Sequence, residues 1–148
     1  MIYLDANLFI YAYYKTKKGK NLAPKIQWMK EEAKKIILKI DKRDGEFCIS
    51  IIQLAEIVNL LKSVMSWEAL RQFLLGIISN NSIEIIEVSN LMYISSIDKI
   101  TKYNMDSNDI SAYLIMKEKG VNQIFTFDKH FRKLKDIKCL PQFPNKFK

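Results

Sequence analysis

The chain has 148 residues, of which 49% are hydrophobic and 27% charged, and its formal charge is +8. That length and apolar content suit one domain with a real core, and they exclude disordered or collagen-like material. No apolar run approaches the roughly 20 residues of a bilayer span. Asp5 and Asn7 interrupt the opening apolar run and no basic segment precedes it, so no signal peptide or membrane association is expected and the reading is a cytoplasmic protein.

Ile2 to Asp5 reads as a short buried strand and Ala6 to Tyr14 as a helix. Gly19 to Pro24 is a break, and Pro24 suits the first turn of a new helix, where its missing N–H costs nothing. That helix runs to about Ile40, with Ile26, Met29, Ala33, Ile36, Ile37 and Ile40 on one face. Arg43-Asp44-Gly45 is a stop, and Glu46 to Ser50 reads as a second strand. Ile51 to Met65 is a helix apolar almost all round, which implies burial. Ser66 caps a helix from Trp67 to Ile78. After the turn Asn80-Asn81-Ser82, Ile83 to Val88 reads as a third strand, and Ser89 caps a helix from about Asn90 to Tyr103. A loop from Asn104 to Asn108 leads into a helix from Asp109 to Lys119, closed by Gly120. Val121 to Phe127 is a fourth strand, Asp128 to Leu134 a short helix, and Ile137 to Leu140 a candidate fifth strand, while Pro141 and Pro144 mark a loose tail.

Strands alternating with helices imply an α/β fold, a three-layer sandwich around a mostly parallel central sheet of four or five strands. No linker or repeat divides the chain, so a single domain over residues 1–148 is expected. Cys48 and Cys139 each fall in a strand-like segment without a C-x-x-C spacing, which reads as two buried reduced thiols.

Four acids stand where structure alone has little use for them. In a parallel sheet, ligands bind beyond the carboxyl ends of the strands, and Asp5 and Asp128 fall there. Each is also placed to cap the helix that follows. Glu56 belongs to a polar stripe, Gln53, Glu56 and Asn59, on an otherwise apolar helix. That stripe either faces water or carries a carboxylate into the interior, where an unpaired charge is costly. Asp106 and Asp109 are three apart, and a cap with a dipole-favoured acid accounts for them structurally. Three or four converging carboxylates suit Mg²⁺ or Mn²⁺, one or two ions, which activate water at a phosphodiester without help from cysteine or histidine. The one histidine, His130, falls on the last short helix and reads as a surface residue.

The same residues, in this order, resemble a PIN domain, the fold of VapC-type toxin ribonucleases. The opening Ile2-Tyr3-Leu4-Asp5-Ala6-Asn7 is similar to that family's first strand and acid, with an Asn two residues on. Leu54-Ala55-Glu56-Ile57 is similar to its second-acid helix, and Asp106-Ser107-Asn108-Asp109 to the start of its third-acid helix, where the later Asp is the usual ligand. Thr126-Phe127-Asp128-Lys129-His130-Phe131 is similar to the closing T-x-D-x-D-F pattern, with His130 in place of the second Asp. The resemblance spans nearly the whole chain. It implies a metal-dependent endoribonuclease, usually paired with a small antitoxin and often dimeric. Asp5, Glu56, Asp109 and Asp128 would bind the metal, with Asp106 in reserve. Asn7 would bond a ligand water or the substrate phosphate, and Thr126 would orient a carboxylate.

The charge map fits an RNA substrate. Between Lys15 and Arg43 eleven Lys and Arg face three acids, and after Lys129 the only acid is Asp136. Lys15, Lys17, Lys18 and Lys20 are the leading candidates for phosphate contacts. Two rivals remain: a metal-dependent phosphohydrolase built on Asp5, and a non-catalytic RNA-binding or scaffold protein of the same fold.

Overall fold

The computed structural model describes residues 1–13 and 21–147. Lys15, Lys17, Lys18 and Lys20, and the last residue expected in the first helix, Tyr14, lie outside them. Five strands, β1 (Ile2–Leu4), β2 (Phe47–Ser50), β3 (Ile83–Ile86), β4 (Gln123–Phe125) and β5 (Lys138–Leu140), form one sheet in the order β3-β2-β1-β4-β5. Every pairing is parallel, with Tyr3 opposite both Cys48 and Ile124. All five carboxyl ends therefore meet at one edge, and the chain order reverses direction at β1.

Side chains alternate across the sheet. Leu4, Phe47, Ile49 and Phe125 enter one core with α1 (Ala6–Tyr13), α2 (Pro24–Asp41), α3 (Ile51–Leu61) and α4 (Trp67–Ile78). Tyr3, Cys48, Ile124 and Cys139 enter the other with α7 (Ser107–Glu118), against which α5 (Asn90–Asp98) and α6 (Ile100–Tyr103) pack. The result is the expected three-layer sandwich. Both cysteines are buried and unbridged. Among the described residues no helix is long and apolar enough to cross a membrane.

Local rules account for most element ends. Ser50, Ser66 and Ser89 each accept a backbone N–H three residues on and cap α3, α4 and α5. Gly120 takes a left-handed φ of 67° just past α7, where a Cβ would be strained.

Five expectations need correction. The helix expected from Asn90 to Tyr103 is two, because a turn at Lys99 interrupts the helical pattern. The helix expected from Asp109 begins at Ser107, because Asp106 caps it. The helix expected to reach Met65 ends at Leu61, and its outer face is not buried: Ile51 and Ala55 are exposed. Residues 128–134 form only a 3-10 turn, Phe131–Lys133. The tail is anchored rather than loose. Phe143 and Phe147 lie with ring centroids 5.0 and 5.9 Å from Trp28, and Arg132 stacks on Phe143 while bonding Thr126 O and Pro141 O.

Candidate metal centre

Asp5 follows β1 and its N–H still pairs with Phe125 O at 3.2 Å. That bond sets Asp5 beside Thr126 at the end of β4. Thr126 is fully buried and its hydroxyl is saturated. It donates to Asp5 Oδ2 and accepts from Asp128 N at 2.9 Å and Asn7 Nδ2 at 3.3 Å. Asn7 returns its amide oxygen to Phe127 N at 3.2 Å. Both ends of the Asn7 amide are thus engaged inside the protein, and they lock the β4 exit against the start of α1.

Glu56 is delivered by α3. One helical turn earlier, the buried Gln53 accepts Ala6 N at 2.7 Å, which ties α3 to the first residue after Asp5. The sequence stripe is therefore split by depth: Gln53 is buried, Glu56 half-buried and Asn59 exposed. Asp109 stands in the first turn of α7. Asp106 Oδ1 caps that helix, accepting Asn108 N at 2.9 Å and Asp109 N at 3.0 Å, while its own side chain is exposed. Tyr93, from α5, donates to Asn108 Oδ1 at 3.1 Å and steadies the same turn.

These placements bring the four acids into mutual range. Asp5 is 4% exposed and Asp109 7%. Burial raises Asp5 to a pKa of about 7, with the Thr126 bond opposing and the Glu56 and Asp128 charges adding. Asp109 rises to about 8, again mainly by burial, then through Asp106, Asp5, Asp128 and Glu56. A first-turn position ordinarily favours a carboxylate, but here desolvation and like charge win. Glu56 is raised by burial and by Asp106, and the Asn108 side chain opposes the shift. None of these three acids forms an ion pair with a described lysine or arginine.

Two details bear on a metal. Glu56 Oε2 is buried without a hydrogen-bond partner. Donor atoms from Asp109, Asp128 and His130 all lie within 4.8 Å of one another. His130 corrects the sequence reading. It is only partly exposed, and its Nδ1 lies 3.0 Å from Asp128 Oδ1, which also accepts His130 N at 2.7 Å. One orphaned carboxylate oxygen among mutually repelling acids, with one imidazole, fits a divalent cation.

One groove opens on the cluster and another lies along β5. One of about 400 Å³ has Glu56, Tyr93 and Asn108 in its wall. A larger one of about 720 Å³ is lined by Lys25, Lys129, Arg132, Lys135 and Lys138, and its single acid, Asp136, is already bonded to Lys117.

The sequence matches the PIN domain family over residues 2–137. The chain belongs to the PIN domain family. Solved structures share the PIN fold with it at low identity. Mycobacterium tuberculosis VapC20, a Sarcin-Ricin loop cleaving toxin, is 14% identical with a TM-score of 0.69, covering 91% of this chain and 95% of that one. Rickettsia felis VapBC2, bound to a DNA fragment from its promoter, contains a chain 19% identical with a TM-score of 0.60, covering 94% of this PIN domain and 97% of that chain. No curated protein sequence is significantly similar to it.

Gln53, Tyr93, Asn108 and His130 are the site residues that sequence reasoning left without a role at the site. Gln53 had a signal, since it shares the polar stripe of Glu56. Tyr93 and Asn108 had none, because their contact joins two helices.

Proposed function

We propose that this PIN domain is a metal-dependent endoribonuclease, the toxin of a toxin–antitoxin pair. The observation that carries the reading is the burial of like-charged carboxylates with no described lysine or arginine paired to Asp5, Glu56 or Asp109. Asp5, Glu56, Asp109 and Asp128 hold one or two Mg²⁺ or Mn²⁺ ions, and Asp106, with Oδ1 spent on its cap, remains a reserve ligand. When bound, such an ion lowers the pKa of water and offsets charge on the scissile phosphate.

The chain's own groups do the positioning. Thr126 aims Asp5 and holds Asp128 N, so two carboxylates are fixed by one hydroxyl. Asn7 stiffens that arrangement through both bonds, and the second N–H of its amide would bond a ligand water or the phosphate. RNA at the acids has the Glu56 groove beside it, and the basic residues of the sequence, with Lys15, Lys17, Lys18 and Lys20 as the leading candidates, supply the phosphate contacts. The VapBC2 structure supports an antitoxin as the partner. A homodimer has apolar surface available, since Leu91, Ile94 and Ile97 are exposed on α5.

The deciding experiment is cleavage of single-stranded RNA with Mg²⁺ and with Mn²⁺ by wild type and Asp5→Asn. Cleavage by wild type alone, lost on chelation, is expected. Equal rates would remove the metal-site assignment, and no cleavage with either ion would favour a non-catalytic RNA-binding role.

A further inference from the structure

We infer that His130 is a nitrogen ligand of the divalent ion held by Asp109 and Asp128, and that it biases the site toward Mn²⁺ over Mg²⁺. This rests on the proposed acid site and adds to it a donor of a different chemical kind.

Three observations carry it. Ligand atoms of Asp109, Asp128 and His130 lie within 4.8 Å of one another, close enough to be drawn onto one ion. His130 Nδ1 and Asp128 Oδ1 are 3.0 Å apart. Neighbouring ligands on an octahedral ion with bonds of 2.0 to 2.2 Å stand about 3 Å apart, so the pair already has that spacing. The backbone also holds it there, because Asp128 Oδ1 accepts His130 N at 2.7 Å and fixes the turn that presents the imidazole.

The chain departs here from the family's pattern of a second carboxylate. An all-oxygen site suits the hard Mg²⁺ ion, which dehydrates reluctantly. Imidazole suits later divalent metals, and Mn²⁺ accepts a mixed nitrogen and oxygen set more readily than Mg²⁺ does. Replacing a carboxylate by a neutral ring also lowers the negative charge at the ion. The competing arrangement is an Nδ1–H that simply donates to Asp128 and orients it.

His130 is the chain's single histidine, so an imidazole signal has one source. The experiment is pulsed electron paramagnetic resonance on tag-free protein loaded with Mn²⁺, in the absence of RNA. Calorimetric titration with Mn²⁺ and with Mg²⁺ accompanies it, on wild type and His130→Gln. Directly bound imidazole nitrogen should couple to Mn²⁺ in wild type and vanish in His130→Gln. The ratio of Mn²⁺ to Mg²⁺ affinity should fall about tenfold in the variant. If the variant fails to fold, the wild-type spectrum decides alone. Mn²⁺ bound without nitrogen coupling overturns the inference and leaves the acid site standing. No calorimetric binding of either ion overturns both.

Discussion

The two ends of the sheet treat carboxylates in opposite ways. At the amino ends of the strands, Asp136 accepts Lys117 Nζ at 2.8 Å and Tyr113 OH at 3.0 Å. Its pKa is lowered, chiefly by the Lys117 bond. Glu84, on β3, pairs with Lys119 at the same end. At the carboxyl ends, Asp5 and Asp109 are buried, their pKa values are raised, and the charges around them are other carboxylates. The first group is exposed to solvent and paired with lysine, whereas Asp5 and Asp109 are buried and pair with no described lysine or arginine. The second group is kept either by binding protons or by a cation, and a cation is what the proposed function supplies.

The sharpest way to break the contrast is to remove one acid from each end. Asp109→Asn should lower the RNA cleavage rate by about a hundredfold or more, since even residues supporting a ligand cost 10- to 100-fold. Glu84→Gln should leave the rate unchanged. Equal losses would mean that the carboxyl-end cluster has no special role.

Stability against pH should differ in sign between the ends. Folded Asp5 and Asp109 hold their protons to about pH 7 and 8, against 3.8 for the ordinary carboxyl. The folded chain binds more protons than the unfolded chain through that window. Their contribution to metal-free stability is therefore full below about pH 4 and is lost as pH rises through 7 to 8. A fall in melting temperature of about 5 °C or more is expected, reduced by Asp109→Asn and by added Mn²⁺. Asp136 works the other way: its lowered pKa supports the fold above pH 4, and that support is lost below it. Thermal melts across the range, with and without ion, measure both, and a metal-free melting temperature that rises from pH 4 to 8 would contradict the assignment.

RNA affinity should come from the basic residues. With Asp5→Asn protein, log K against log[salt] should have a slope of several units, about 0.7 per single-strand phosphate contact. Reversing charge at Lys17, Lys18 and Lys20 should flatten it. A slope untouched by reversal would assign those lysines to solubility or to an acidic partner.

The smallest effect is expected at Asp106. Its alanine variant loses the α7 cap, at a cost of about 1 kcal/mol, with a rate loss well below that of Asp109→Asn. Comparison of the two rates and melting temperatures checks this. A larger rate loss at Asp106 would make it a ligand in its own right.

Hydrophobic periodicity and capping residues made the strand and helix order readable, because those signals are local. Ser66, Ser89 and Pro24 marked helix starts from their own backbone chemistry. The interruption at Lys99 and the shortening of α3 were not readable, since apolar side chains continue across both and only packing decides where a helix stops. The tail was misread for a related reason. Pro141 and Pro144 signal an irregular chain, but Trp28 lies more than a hundred residues away in sequence and supplies the surface that holds Phe143 and Phe147.

By itself the sequence determined which acids end strands or enter helices, and hence that Asp5 and Asp128 fall at the ligand-binding edge of a parallel sheet. Only the tertiary structure decided that Glu56 and Asp109 join them, through Gln53 reaching Ala6 N and Tyr93 steadying Asn108. It also decided their electrostatics. A carboxylate's pKa depends on the water and charge around it, and those are set by side chains that the chain brings together from across its length.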